Sequence, residues 1–153
     1  MTMHINRAGL EIIKSSESCR LKAYLDNQHG RVWTVGYGHT GPDVVEGLRI
    51  LPEQAIRWLV EDCEEAERGV EKCVKVALNE NQFSALVSFV FNIGEAQFKR
   101  STMCRLINAG EFAQAARQFA RWVYDEGVIQ PGLITRRERE KELFEQLAVG
   151  VCH

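Results

Sequence analysis

Four side chains within one short stretch carry groups that can act together on a substrate. In ESCRLKAYLDNQHGRVWTVGYGHT, Glu17 and Asp26 stand nine positions apart, and Thr34 and His39 follow. Two carboxylates in different environments suit the hydrolysis of a glycosidic bond. One must be protonated to give the leaving oxygen a proton. The other must be ionised to activate water, attack the sugar or stabilise the cationic transition state. Glu17 falls where a first helix meets a β segment, where partial burial would favour the protonated form. Asp26 falls at a strand end beside a polar turn, where solvent would keep it charged. Spacing alone is weak evidence, because acids nine apart are common on protein surfaces.

The elements that must hold these groups follow from the apolar pattern. Ile5 to Ser15 reads as an amphipathic helix with Asn6 as N-cap. LKAYLD and RVWTVGYG, separated by the turn cluster DNQHG, read as a β-hairpin with room for a third strand before Ile50. Pro52 opens a long helix predicted to reach about Val74, with an acidic solvated face from Glu61 to Glu67. LNENQFSALVSFVFNIG combines an Asn79–Gln82 capping box, a wide apolar stripe and a Gly94 stop, and reads as the central core helix. A short helix opens at Ser101 or Thr102 and ends near Gly110, and EFAQAARQFARWV forms another. DEGVIQPG is expected to be loop. LITRREREKELFEQLAV is the last helix, with Leu133, Leu143, Phe144 and Leu147 pointing inward.

The pattern predicts one α+β domain, mainly helical with a small antiparallel β lobe and an interlobe cleft. The β lobe covers about 17–50, a connecting helix about 52–74, and the helical lobe about 1–16 and 75–153. The 153 residues are 45% hydrophobic and 26% charged, as in an ordinary globular protein. A formal net charge of −2 excludes a globally basic nucleic-acid binder. The longest apolar runs are too short to span a bilayer. The N-terminal segment, interrupted by Arg7, Glu11 and Lys14, lacks the apolar core of a signal peptide. The five cysteines, Cys19, Cys63, Cys73, Cys104 and Cys152, show no metal-ligand spacing and read as reduced thiols.

The phrase from Glu17 to Thr40 is more specific than its spacing. Glu17, eight residues, Asp26, a turn, then Thr34 leading to GYGHT resembles the catalytic segment of the phage-type lysozymes, glycoside hydrolase family 24. The central helix, with its Asn-Gln-x-x-Ala-Leu and Phe-Asn-x-Gly features, and RWVYDEGVIQPGLITRREREKELF are similar to two further segments of that family. The resemblance implies a lysozyme-like fold and an endolysin that cleaves the β-1,4 bond between N-acetylmuramic acid and N-acetylglucosamine. It implies Glu17 as general acid, Asp26 as the group orienting water or stabilising positive charge, and Thr34 as a holder of that water. Inversion is the implied outcome, with carboxyls about 6.5–9.5 Å apart. No metal or organic cofactor is needed. The implied setting is the host cytoplasm, with a separate holin giving access to the peptidoglycan, a monomeric state and no nucleic-acid partner.

Departures and alternatives accompany this reading. Asp26 and Thr34 are separated by seven residues where the family usually has five, and the extra length is assigned to NQHGR. His39 is expected to be structural, paired with an acid among Asp62 to Glu67. Cys19 is expected to be a small apolar filler. Gly36 and Gly38 serve the backbone, and Trp33 and Tyr37 are assigned to core packing rather than sugar stacking. Arg136 and Arg137, interleaved with Glu138, Glu140 and Glu142, read as a mixed-charge helix. The family suggests that one of these arginines pairs with Glu17, which would lower the acid's pKa. The competing functions are a wall-binding module without catalysis, a nucleic-acid regulator using the arginine-rich end, and a lytic transglycosylase, which needs the Glu but not the Asp.

Overall fold

A computed structural model describes residues 3–27 and 30–147. The chain divides into two compact units, one from Lys14 to Glu64, the other formed by residues up to Ile13 together with those from Glu65 onward. The boundaries fall inside two helices, so the smaller unit takes in more helix than the 17–50 assignment allowed.

The smaller unit begins in helix α1 (Arg7–Ser16), whose Asn6 side chain accepts from the Gly9 N–H at 3.0 Å, as an N-cap should. Strands β1 (Arg20–Asp26) and β2 (Val32–Gly36) pair antiparallel, with Tyr24 opposite Thr34, Leu25 opposite Trp33 and Asp26 opposite Val32. A register shift between Arg20 and Tyr24 bends β1. The third strand is reduced to one bridge, Lys22 with Arg49. It is flanked by the Ala23 N–H to Leu48 carbonyl bond and the Ile50 N–H to Leu21 carbonyl bond, both 2.8 Å. Ala23, Val35 and Val44 are its buried centre, and Trp33, Leu48, Ile50 and Trp58 pack on them. Trp33 therefore does serve packing. After β1, Gly30 and Arg31 both have positive φ, and the rest of the NQHGR assignment falls partly on Gln28 and His29, outside the described residues.

Helix α2 (Pro52–Cys73) follows, with proline in its first turn. The larger unit is built on α3 (Glu80–Ile93), where both halves of the Asn79–Gln82 capping box form and Gly94, at φ 91°, ends the helix. Around it lie α4 (Glu95–Lys99), α5 (Thr102–Asn108, capped by Ser101), α6 (Phe112–Gln118), a 3-10 turn (Phe119–Arg121) and α7 (Pro131–Glu145). The Phe89 ring meets Phe98, Phe119 and Trp122 edge-on, with centroids 6.2, 5.3 and 5.6 Å away. Each large buried side chain here contributes about 1.5–3 kcal/mol.

Several expectations are corrected. The DEGVIQPG segment is not all loop, because β3 (Tyr124–Asp125) and β4 (Val128–Ile129) form a hairpin. Glu126 and Gly127 both have positive φ, the backbone a tight two-residue hairpin turn requires. Leu147 is exposed, since α7 ends at Glu145 and the helical pattern no longer turns it inward. Instead, α7 buries Arg136, Arg137 and Glu140. Its charges are therefore not simply a solvated face. Arg136 Nε and the Ser88 hydroxyl donate to Glu140 Oε2, Arg137 Nη1 donates to Glu140 Oε1, and Arg137 Nη2 donates to Asn92. Arg137 also lies over the Phe89 ring at 4.9 Å. The acidic face of α2 has its own exception. Glu67 is buried and accepts the Ile5 N–H at 2.7 Å.

Candidate active site

Glu17 is the first residue after α1, three positions before β1, and is half-buried. Its surroundings come from the end of β2. The Val35 N–H donates to the His39 carbonyl at 3.0 Å and the His39 N–H returns to the Val35 carbonyl at 2.8 Å. This tight loop needs Gly36 and Gly38 at φ 64° and 82°. It brings Gly38 against Glu17, so that a Cβ there would sit 3.7 Å from Oε2. A Cβ on Gly36 would press on Ala55 of α2 at 3.4 Å. Both glycines are backbone necessities, each at a φ that other residues rarely adopt.

Asp26, also half-buried, ends β1. Side chains alternate along strands, so Tyr24 and Asp26 share one face with Val32 and Thr34 opposite them. Thr34 is 3% exposed, and its hydroxyl donates to the Val32 carbonyl at 3.0 Å. Its proton is thus committed, and what it retains for water is acceptor capacity.

Tyr24 stands two residues before Asp26 on the same strand. Arg20 lies over its ring, with Cζ 4.5 Å from the centroid. Burial raises the Tyr24 pKa, Asp26 and Glu17 raise it further, and Arg20 opposes them. Both carboxylates therefore act on one phenol. The strand alternation that places Tyr24 beside Asp26 is visible in sequence, yet neither Tyr24 nor Arg20 was singled out there.

His39 takes a bracing position. Its Nδ1 lies 2.8 Å from Asp62 Oδ2, which selects the partner from the acids of α2, and its ring stacks on Trp58 at 4.2 Å. Nε2 is buried and stands 3.5 Å from Asp43 Oδ1 without hydrogen-bond geometry. Burial raises the Asp62 pKa, and the hydrogen bond and charge of His39 oppose that rise.

The thiols follow burial, not chemistry. Cys63, Cys73 and Cys104 are buried, and burial raises the pKa of the latter two. Cys19 is exposed, contrary to its assignment as a filler, because it lies between α1 and β1 where nothing packs over it as core. Cys152 lies outside the described residues. Among the described residues no cluster of three or more His, Cys, Asp or Glu is arranged to hold a metal.

The sequence profile of the phage lysozyme family matches residues 14–140, which include the whole Glu17 to Thr40 segment and the Arg136–Glu140 cluster. The chain belongs to the phage lysozyme family. The endolysin of Bacillus phage B103 is 42% identical over 142 residues, 93% of this chain but 54% of that protein. The chain thus spans about half the length of that relative. The endolysin of Salmonella phage P22 is 38% identical over 93% of this chain and 98% of its own length. Among solved structures, the muramidase domain of SpmX from Asticaccaulis excentricus superposes with a TM-score of 0.87 at 38% identity, covering 95% of this chain and 99% of that domain. The lysozyme-like α+β fold is therefore that of a phage lysozyme family member.

Proposed function

We propose that the protein is an endolysin that hydrolyses the β-1,4 bond between N-acetylmuramic acid and N-acetylglucosamine in bacterial peptidoglycan. The observation that carries this reading is the placement of Asp26 and Thr34 on one face of the hairpin with Glu17 beside the Gly36–Gly38 loop that ends it, within a segment that matches the phage lysozyme family. In this reading Glu17 protonates the leaving oxygen. Asp26 takes a proton from water on the other face of the sugar, and Thr34 accepts a hydrogen bond from that water. The new hydroxyl arrives opposite the departing one, so the anomeric centre inverts.

Digestion of purified sacculi with the protein and with Glu17→Gln tests the proposal. The expected products are disaccharide muropeptides with a free reducing muramic acid, seen by mass spectrometry and absent from the variant digest. Anhydro-muramic products would make the protein a lytic transglycosylase. Sacculus binding with no soluble product would leave a wall-binding module. We also infer that the protein reaches the wall through lesions made by a separate holin and acts as a monomer. Lysis only on co-expression of a holin checks the first point, and sedimentation checks the second.

A further inference from the structure

On that hydrolytic reading, a second hydroxyl lies on the strand face that carries Asp26. We propose that Tyr24 is a positioning residue of the site, its phenol holding the nucleophilic water against Asp26 alongside Thr34.

Three observations support this. Tyr24 is two residues from Asp26 on β1 and directly across from Thr34 on β2, so the phenol, the carboxylate and the threonine hydroxyl leave one face of the hairpin together. A water between them must give one proton to Asp26 and be held by its other hydrogen-bonding positions. Thr34 has already given its proton to the Val32 carbonyl and can only accept. A neutral phenol can both accept and donate, so it supplies what Thr34 lacks.

The second observation is orientation. The Arg20 guanidinium caps one face of the Tyr24 ring at 4.5 Å, and the ring is half-buried. A stacked cation fixes the plane of an aromatic side chain that would otherwise swing on the strand surface. The third is protonation. Burial, Asp26 and Glu17 outweigh Arg20 and hold the phenol proton more tightly than in water. Tyr24 therefore stays neutral wherever the hydrolase would work, and it donates no proton to the leaving group.

Tyr24→Phe keeps the ring and the Arg20 stack and removes only the hydroxyl. It is expected to lower kcat on sacculi by about tenfold or more, the loss of one well-placed hydrogen bond to a charged reaction centre. KM stays within about twofold, because the hydroxyl acts in the transition state and not in uniform binding. The melting midpoint stays that of the wild type, as a purely packing role would not allow together with a kcat loss. A second readout is independent of activity. The tyrosinate absorbance of Tyr24, taken as wild type minus Tyr24→Phe, is expected to titrate at lower pH once Asp26→Asn or Glu17→Gln is introduced. A Tyr24→Phe enzyme with wild-type kcat overturns the proposal, and so does a Tyr24 midpoint unmoved by Asp26→Asn. If wild type itself releases no reducing muramic acid, the hydrolytic reading fails and takes this one with it. That result is distinct from an active wild type whose Tyr24→Phe variant is equally active.

Discussion

Substituting Glu140 by Gln withdraws a negative charge from between two buried guanidinium groups. Glu140 is fully buried, and Arg136 and Arg137 are 3% and 2% exposed. The carboxylate accepts from the Ser88 hydroxyl at 2.6 Å, from Arg136 Nε at 3.2 Å and from Arg137 Nη1. Glutamine keeps one acceptor oxygen and turns an NH2 toward a guanidinium group that cannot receive it. Burial already lowers the Arg137 pKa, and Glu140 opposes that effect. The variant leaves the burial cost standing. Breaking a buried ion pair from one side costs about 3–5 kcal/mol. For a chain of this length that lowers the melting midpoint on the order of 10 °C. Urea unfolding at neutral pH measures it, with the exposed Glu138 on the same helix as reference. Glu138→Gln is expected to change stability by no more than about 0.5 kcal/mol. An E140Q protein as stable as E138Q would refute the argument that this carboxylate compensates the buried arginines.

Two further outcomes follow from the smaller unit. The Asp62 pKa is raised on folding, so the folded state holds its proton more tightly than the unfolded chain. Its contribution is then fully present below the unfolded value, near pH 4, and is lost as pH rises through the folded value. Asp62→Asn keeps an acceptor for His39 and should remove this loss. Relative to D62N, the wild type should lose stability from about pH 4 upward in urea titrations until the folded carboxyl has titrated, and a relative gain would contradict the sign. Gly38→Ala places a Cβ at φ 82° and 3.7 Å from Glu17 Oε2. A left-handed alanine costs about 1–2 kcal/mol. Stability should fall by that amount in thermal melts and wall hydrolysis should fall with it, while unchanged melting would show that the turn relaxes.

Local chemistry is what the sequence determined by itself. The Asn79–Gln82 box and the Gly94 stop bound α3 because caps act within one turn of chain, and Pro52 opens α2 for the same reason. The sequence put Glu17 at the junction of α1 with the hairpin and Asp26 and Thr34 on the hairpin itself, and these two share its face because strand alternation is a local property. The β3–β4 hairpin was not legible, since two-residue strands leave no alternation to read. Tertiary structure alone decided which acid of α2 meets His39, because Asp62 is chosen by the loop that Gly36 and Gly38 close. It alone decided that Arg136, Arg137 and Glu140 are interior. An alternating run of charges looks solvated until Ser88 and Asn92 on another helix supply its hydrogen bonds. Tyr24 stands between the two cases. Its face was written in the strand, but the effect of Glu17 on it depends on where the fold brings that carboxylate, beside Gly38. Charge pairing acts through space, and only the folded chain sets those distances.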